Sequence, residues 1–244
     1  MKVLGVIPAR YGSTRLPGKA LVDICGQTMI RRVYQRAARA SCLDGLIVAT
    51  DDERILNEVR RFGGSAVMTS VHHRTGTDRI AEAVSKMDAD IVVNVQGDEP
   101  LLDPRCIDQV VAPLIEDPTL PMSTLRTPLT NPEDVQDPNF VKVVVDKNEY
   151  ALYFSRYPIP YARSAELAAP HYLHIGLYAY RRDFLLTYAS LPSTPLERSE
   201  ALEQLRALEH GYRIKVPLTE WDSISVDTPE DLERVRRLVE QLEG

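Results

Sequence analysis

Short apolar runs alternate with stretches of helical periodicity through the first half of the chain. Val3 to Ile7 reads as a buried first strand, Leu46 to Thr50 as a second, Ala66 to Met68 as a third, and Ile91 to Val95 as the most strand-like run of all. Between them, Met29, Ile30, Val33, Tyr34, Ala37 and Ala38 recur at helical spacing. Asp51-Asp52 caps a predicted helix from Glu53 to Phe62, which Gly63-Gly64 ends. A polar segment, Thr69 to Arg79, precedes a helix predicted over Ile80 to Met87. Strand, helix, strand in repetition implies right-handed crossovers and a mostly parallel sheet, with ligands gathering at the carboxyl ends of the strands.

The second half is less regular. Val141 to Val145, Leu152 to Ser155 and Ile175 to Tyr180 read as strands, separated by proline-rich turns such as Tyr157-Pro158-Ile159-Pro160. Pro195 to His210 predicts one helix ended by Gly211, and Ile224 to Val226 a last strand leading into a helix over Pro229 to Leu242. Without repeats or clear linkers, the pattern fits a single domain over 1–244 with an inserted lobe at about 130–215.

Bulk composition narrows the function. Hydrophobic residues make up 44 % and charged residues 26 %, as in ordinary globular proteins. No apolar run reaches the ~18 residues of a membrane span, and Arg10 interrupts the N-terminal apolar stretch before it could form a signal peptide. Cys25, Cys42 and Cys106 lie outside any metal spacing, which predicts reduced, packed thiols and a cytoplasmic protein. The net charge of −6 argues against nucleic acid as a partner. An anionic small molecule needs only a locally basic pocket.

The stretch after the first strand supplies one. Arg10, Arg15 and Lys19 crowd a turn containing Gly12, Ser13, Pro17 and Gly18, where backbone N–H groups and cations together suit a polyphosphate. The turn is not a P-loop: five residues separate Gly12 from Gly18, and Ala20 stands where a metal-binding hydroxyl would be.

Two carboxylates follow strand-like runs. Asp98, in Gln96-Gly97-Asp98-Glu99-Pro100, is read as a metal ligand or as the N-cap of a β-to-α turn; a helix start at Asp103-Pro104 weakens the second reading. Asp227 is followed by Thr228-Pro229-Glu230-Asp231, in which Thr228 takes the cap and leaves Asp227 for other work. Two such acids near a basic loop suit a Mg²⁺-phosphate site. The segment His73 to Arg79 is read either as a turn that contacts a base or ribose, or as a solvated loop with Thr77 as a helix cap.

These motifs occur in a specific order. Pro8-Ala9-Arg10, Ser13 to Lys19, Thr75 to Arg79, Asn94 to Pro100 and Val226 to Leu232 together resemble the 3-deoxy-D-manno-octulosonate (Kdo) cytidylyltransferase family over essentially the whole chain. Tyr153-Phe154-Ser155-Arg156, His174 to Tyr178 and Leu202 to Arg206 resemble it too. The family commonly has Ser-Gly-Thr where this chain has Thr75-Gly76-Thr77.

The resemblance implies an α/β, Rossmann-like nucleotidyltransferase core with a mostly parallel sheet, and an inserted sugar-binding and dimerisation lobe that forms a homodimer. It implies CMP transfer from CTP to the anomeric hydroxyl of Kdo with release of pyrophosphate, for lipopolysaccharide biosynthesis. Pro8, Ala9, Arg10, Arg15, Lys19, Thr75, Gly76, Thr77, Arg79 and Gln96 would bind the nucleotide. Asp98 and Asp227 would hold Mg²⁺, and Arg10 and Lys19 would neutralise the phosphates. Arg156, His174, Tyr178, Glu203 and Gln204 would line the sugar pocket, Arg156 with a fork suited to a carboxylate. By pattern alone, Tyr178, in an apolar strand, reads more readily as a core residue, and Glu203 with Gln204 as a solvated helix face. Open alternatives are another acidic sugar, such as an 8-amino analogue of Kdo or a sialic acid, and a nucleotide-binding protein without turnover.

Overall fold

The computed structural model describes residues 1–12, 16–164, 166, 169–221 and 224–243. They form two compact units, Met1–Asp108 with Ser223–Gly244, and Gln109–Asp222.

In chain order the first unit contains β1 (Val3–Ala9), a 3-10 turn (Lys19–Leu21), β2 (Asp23–Ile24), β3 (Gln27–Thr28), α1 (Met29–Ala37), β4 (Gly45–Thr50), α2 (Glu53–Arg61), β5 (Ala66–Met68), α3 (Gly76–Val84) and β6 (Ile91–Asn94). Helix α4 (Pro104–Glu116) carries the chain into the second unit. There follow β7 (Met122–Pro128), α5 (Pro132–Gln136), β8 (Lys142–Val145), β9 (Ala151–Ser155), β10 (Tyr172–Arg181), α6 (Arg182–Ser190), α7 (Pro195–Glu200), α8 (Leu205–Glu209) and β11 (Ile214–Lys215). The chain ends in the first unit with α9 (Pro229–Glu243).

The strands of the first unit run in the order β6-β1-β4-β5, all parallel. Val6, Ile7, Val48, Val92 and Val93 are fully buried, as continuous apolar runs in a parallel sheet should be. Strand β1 reaches Ala9, two residues past the apolar run, because Pro8 and Ala9 stay in register with Ala49 and Thr50. Asp52 caps α2 as expected, accepting from the Arg54 N–H.

Helix α3 starts four residues before the expected Ile80. Thr75 Oγ1 accepts the Asp78 N–H at 3.1 Å, and Asp78 Oδ2 accepts the Thr75 N–H at 3.3 Å. This reciprocal box satisfies two N-terminal donors, so Thr75 is the cap and Thr77 is buried inside the helix. Among the described residues, Ile224 to Val226 form no strand; the Val226 N–H donates to the Asp98 carbonyl at 2.9 Å and anchors the segment.

In the second unit β10 runs antiparallel to β7 and β8, β8 antiparallel to β9, and β11 parallel to β7. The single helix expected over Pro195 to His210 is two. Ala201 takes a left-handed conformation (φ 51°) that ends α7, and α8 begins only at Leu205. Gly211, at φ 81°, follows α8 as its expected stop.

Candidate active site

Three elements meet around the Lys19 side chain. The turn after β6 lies against the end of β1: a Cβ on Gly97 would come within 2.9 Å of the Pro8 carbonyl oxygen, so only glycine permits that approach. The same turn's Asp98 carbonyl receives the Val226 N–H, which brings Asp227 beside Asp98. From the third side, Gly18 at φ 68° leads into the 3-10 turn that begins with Lys19. The Lys19 ammonium donates to Asp98 Oδ2 at 2.6 Å and to Asp227 Oδ1 at 2.8 Å.

Asp227 is not the helix cap. Thr228 Oγ1 accepts the Asp231 N–H at 3.2 Å, and Asp231 Oδ2 accepts the N–H groups of Asp227 and Thr228. Capping is complete without the Asp227 carboxylate. Two carboxylates converging on one cation are a hard-oxygen donor set of the kind magnesium accepts. Among the described residues no group of three or more His, Cys, Asp or Glu could hold a metal. The remaining coordination positions would therefore fall to phosphate oxygens and water.

The nucleotide candidates gather in a pocket of about 190 Å³ in the first unit. Pro8, Ala9, Arg10 and Gln96 line it from the ends of β1 and β6, and Thr75, Gly76 and Arg79 from the start of α3. Of the other expected residues, Thr77 points into the core, Lys19 sits with the two carboxylates, and Arg15 lies outside the described residues. His73 and Arg74 also line the pocket. Their place in the segment ahead of α3 was the signal for them. Arg79 is 3 % exposed, and its guanidinium donates to Thr69 Oγ1 and to Asp51 Oδ2. It is a wall of the pocket held from behind.

In the second unit, His174 and Tyr178 lie on β10 with ring centroids 5.4 Å apart. Thr124 Oγ1 contacts His174 Nε2 at 2.9 Å and two backbone carbonyls, those of Ile175 and Leu177, at 2.8 Å. A hydroxyl has one proton to give, so with a carbonyl taking it the ring donates from Nε2. Burial holds the His174 pKa down to about 3, so the imidazole is neutral. Burial also raises the Tyr178 phenol, with Glu203 adding to the effect, so Tyr178 is a proton donor at neutral pH.

Gln204 is only 4 % exposed, and its Nε2 has no hydrogen-bond partner. It is therefore no part of a solvated face. Arg156 stands differently from expectation. Its Nε, Nη1 and Nη2 donate to the carbonyls of Glu200, Pro138 and Ala201, while the Glu200 carboxylate accepts Ser155 Oγ and the Arg156 N–H. The guanidinium clamps the break between α7 and α8, just ahead of Glu203 and Gln204. Glu200 was not anticipated, since nothing in its local pattern marks it.

Parallel α/β topology, a pocket across the strand ends and paired acids beside a lysine define a nucleotide-handling enzyme. Residues 4–214 match the cytidylyltransferase family, and the chain belongs to it. The 3-deoxy-manno-octulosonate cytidylyltransferase of Syntrophotalea carbinolica is 57 % identical, covering 96 % of this chain and 97 % of its own. That of Solibacter usitatus is 55 % identical, covering 97 % and 94 %. A solved structure of CMP:2-keto-3-deoxy-manno-octonic acid synthetase complexed with CTP superposes with a TM-score of 0.95 at 46 % identity, covering 99 % of this chain and all of that one.

Proposed function

We propose that this protein transfers CMP from CTP to the anomeric hydroxyl of Kdo, with release of pyrophosphate. The observation that carries the reading is the 57 % identity, over nearly the whole of both chains, to a cytidylyltransferase named for that sugar. In the reaction the anomeric oxygen bonds to the α-phosphorus while the bond from that phosphorus to the bridging oxygen breaks. The hydroxyl proton is released with pyrophosphate.

The residues divide the work by their chemistry. Pro8, Ala9, Thr75 and Gly76 give the base and ribose a shaped wall, and Arg10 offers an exposed cation to the phosphates. Asp98 and Asp227 would hold Mg²⁺, which when bound supplies charge neutralisation and lowers the pKa of a coordinated hydroxyl. Their fit is supported by the cation already seated between them. Lys19, held by the two carboxylates in the structure, would turn to the phosphates when they arrive, and positioning with electrostatics makes a protein nucleophile unnecessary. Tyr178 as donor, His174 as a neutral ring and the buried amide of Gln204 suit a polyhydroxylated sugar acid.

Finer parts of the reading follow. Exposed Leu152, Tyr157 and Tyr161 in the second unit support a homodimer built through that unit. No helix among the described residues is long and apolar enough to cross a membrane. The product would serve lipopolysaccharide biosynthesis. The test is pyrophosphate release across CTP, UTP, ATP and GTP against a panel of acidic sugars including Kdo, its 8-amino analogue and a sialic acid. Turnover with CTP, Mg²⁺ and Kdo well above every other pair is expected. Equal turnover with a purine nucleotide, or a better rate with another sugar, would refute the assignment.

A further inference from the structure

The position of Lys19 is at odds with a simple phosphate-binding role. Its loop follows β1 as a phosphate loop should, yet its ammonium is 2.6 Å from Asp98 Oδ2 and 2.8 Å from Asp227 Oδ1. Only 14 % of the side chain is exposed, and the carboxylates are 28 % and 37 % exposed, so the three groups form a partly dehydrated cluster. Two carboxylates so close would repel each other without a cation between them, more strongly as water is excluded. Lys19 removes that repulsion. Its ammonium already occupies the two carboxylates that would hold a divalent ion, so lysine and metal would compete for the same oxygens.

We propose that Lys19 is an internal counter-cation that keeps the carboxylate pair assembled and closed to divalent metal until the nucleotide arrives. The inference rests on the reading of Asp98 and Asp227 as the metal carboxylates. A lysine suits the task because its charge is compact and its stem flexible, so it exchanges one set of oxygens for another. The triphosphate supplies both halves of the exchange: anionic oxygens for the lysine to move to, and further oxygen ligands that make the metal a better occupant than the ammonium. Metal and nucleotide then bind together, and metal alone binds weakly. The phosphate role expected from the loop and the carboxylate contacts seen in the structure become two positions of one side chain.

The test measures Mn²⁺ binding by electron paramagnetic resonance on the full chain without sugar, so that no turnover occurs. Without CTP, wild type should bind Mn²⁺ weakly and Lys19→Met at least ten-fold more tightly. Lys19→Gln repeats the measurement with a polar side chain, should methionine disturb the loop. With CTP present, the ten-fold advantage of the variants should vanish. Equal Mn²⁺ affinity of wild type and both variants without CTP would overturn the proposal, as would an advantage that persists with CTP. An Asp98→Asn variant whose CTP complex binds Mn²⁺ as tightly as the wild type–CTP complex would instead overturn the metal reading beneath it.

Discussion

Arg79 and Asp51 form a partly buried ion pair at 2.6 Å that ties the first turn of α3 to the residue after β4. Asp51 stands at the carboxyl end of a parallel strand, where α/β sheets collect their ligands, yet it supports the pocket rather than lining it. Arg79 has only 4 % of its side chain exposed and also holds Thr69 Oγ1. Arg79→Ala would leave a largely buried carboxylate unpaired, at a cost of about 3 kcal/mol. It would also remove one wall of the nucleotide pocket. Urea unfolding should report the stability loss, and a CTP titration a weaker complex. A variant that keeps both would show the pair to be dispensable.

Asp227 and Thr228 sit side by side with separate jobs, so changing each should separate two readouts. Asp227→Asn keeps an oxygen for Lys19 and leaves the Thr228–Asp231 cap intact, so melting without metal should hardly move. Turnover should fall by on the order of 10² or more, partly recovered at high Mg²⁺, because a charged ligand of the metal has gone. Thr228→Ala should do the reverse, costing about 1 kcal/mol of stability with most of the activity retained. Full activity of Asp227→Asn at low Mg²⁺ would remove Asp227 from the metal site.

The sequence discloses what is local and continuous and hides what depends on distant partners. Val48, Ile91 and Val92 could be read as strand because parallel strands buried on both faces are unbroken apolar runs. Strand β7 escaped because Ser123, Thr124 and Arg126 are buried along with Met122 and Leu125, satisfied by carbonyls such as those of Val110 and Val216. The β2–β3 hairpin turns on Cys25 and Gly26, both at positive φ, without the Asn-Gly pair that announces such turns. The break at Ala201 is likewise invisible in a helical pattern. Asp98 and Asp227 were legible because each follows an apolar run, and Thr228 was visibly the cap. That Lys19 lies on both of them was not, since the contacts span 79 and 208 residues.

His174 makes stability depend on pH in a definite direction. Its pKa falls from 6.5 to about 3 on folding, so the unfolded chain binds one more proton between those values. Stability from this group is complete above pH 6.5 and is lost as pH falls, by ~1.4 kcal/mol per unit. Between pH 7 and 5 wild type should therefore lose about 2 kcal/mol more than His174→Gln. Parallel pH profiles in urea unfolding would contradict the burial of a neutral ring.

Arg156 holds three carbonyls around the end of α7, so its removal should loosen the segment that carries Glu203 and Gln204. Arg156→Ala is expected to raise the KM for Kdo several-fold more than that for CTP, and to lower stability by roughly 2 kcal/mol as the carbonyls lose charged donors. Arg156→Lys should recover part of the stability, although one ammonium cannot serve three carbonyls in different directions. A loss confined to CTP binding would place Arg156 outside the sugar site.

Gln204 offers a sharper separation, because folding and sugar binding should respond in opposite directions. Its amide nitrogen is buried without a partner, which costs the folded protein ~1–3 kcal/mol relative to an apolar group of the same shape. Gln204→Met keeps the volume and removes the unsatisfied donor, so the variant should unfold at equal or higher urea. If the amide is held in reserve for a sugar oxygen, the same variant should bind Kdo at least ten-fold more weakly, with the KM for CTP unchanged. A variant that is more stable and binds Kdo normally would mark the unpaired amide as a packing defect rather than part of the sugar site.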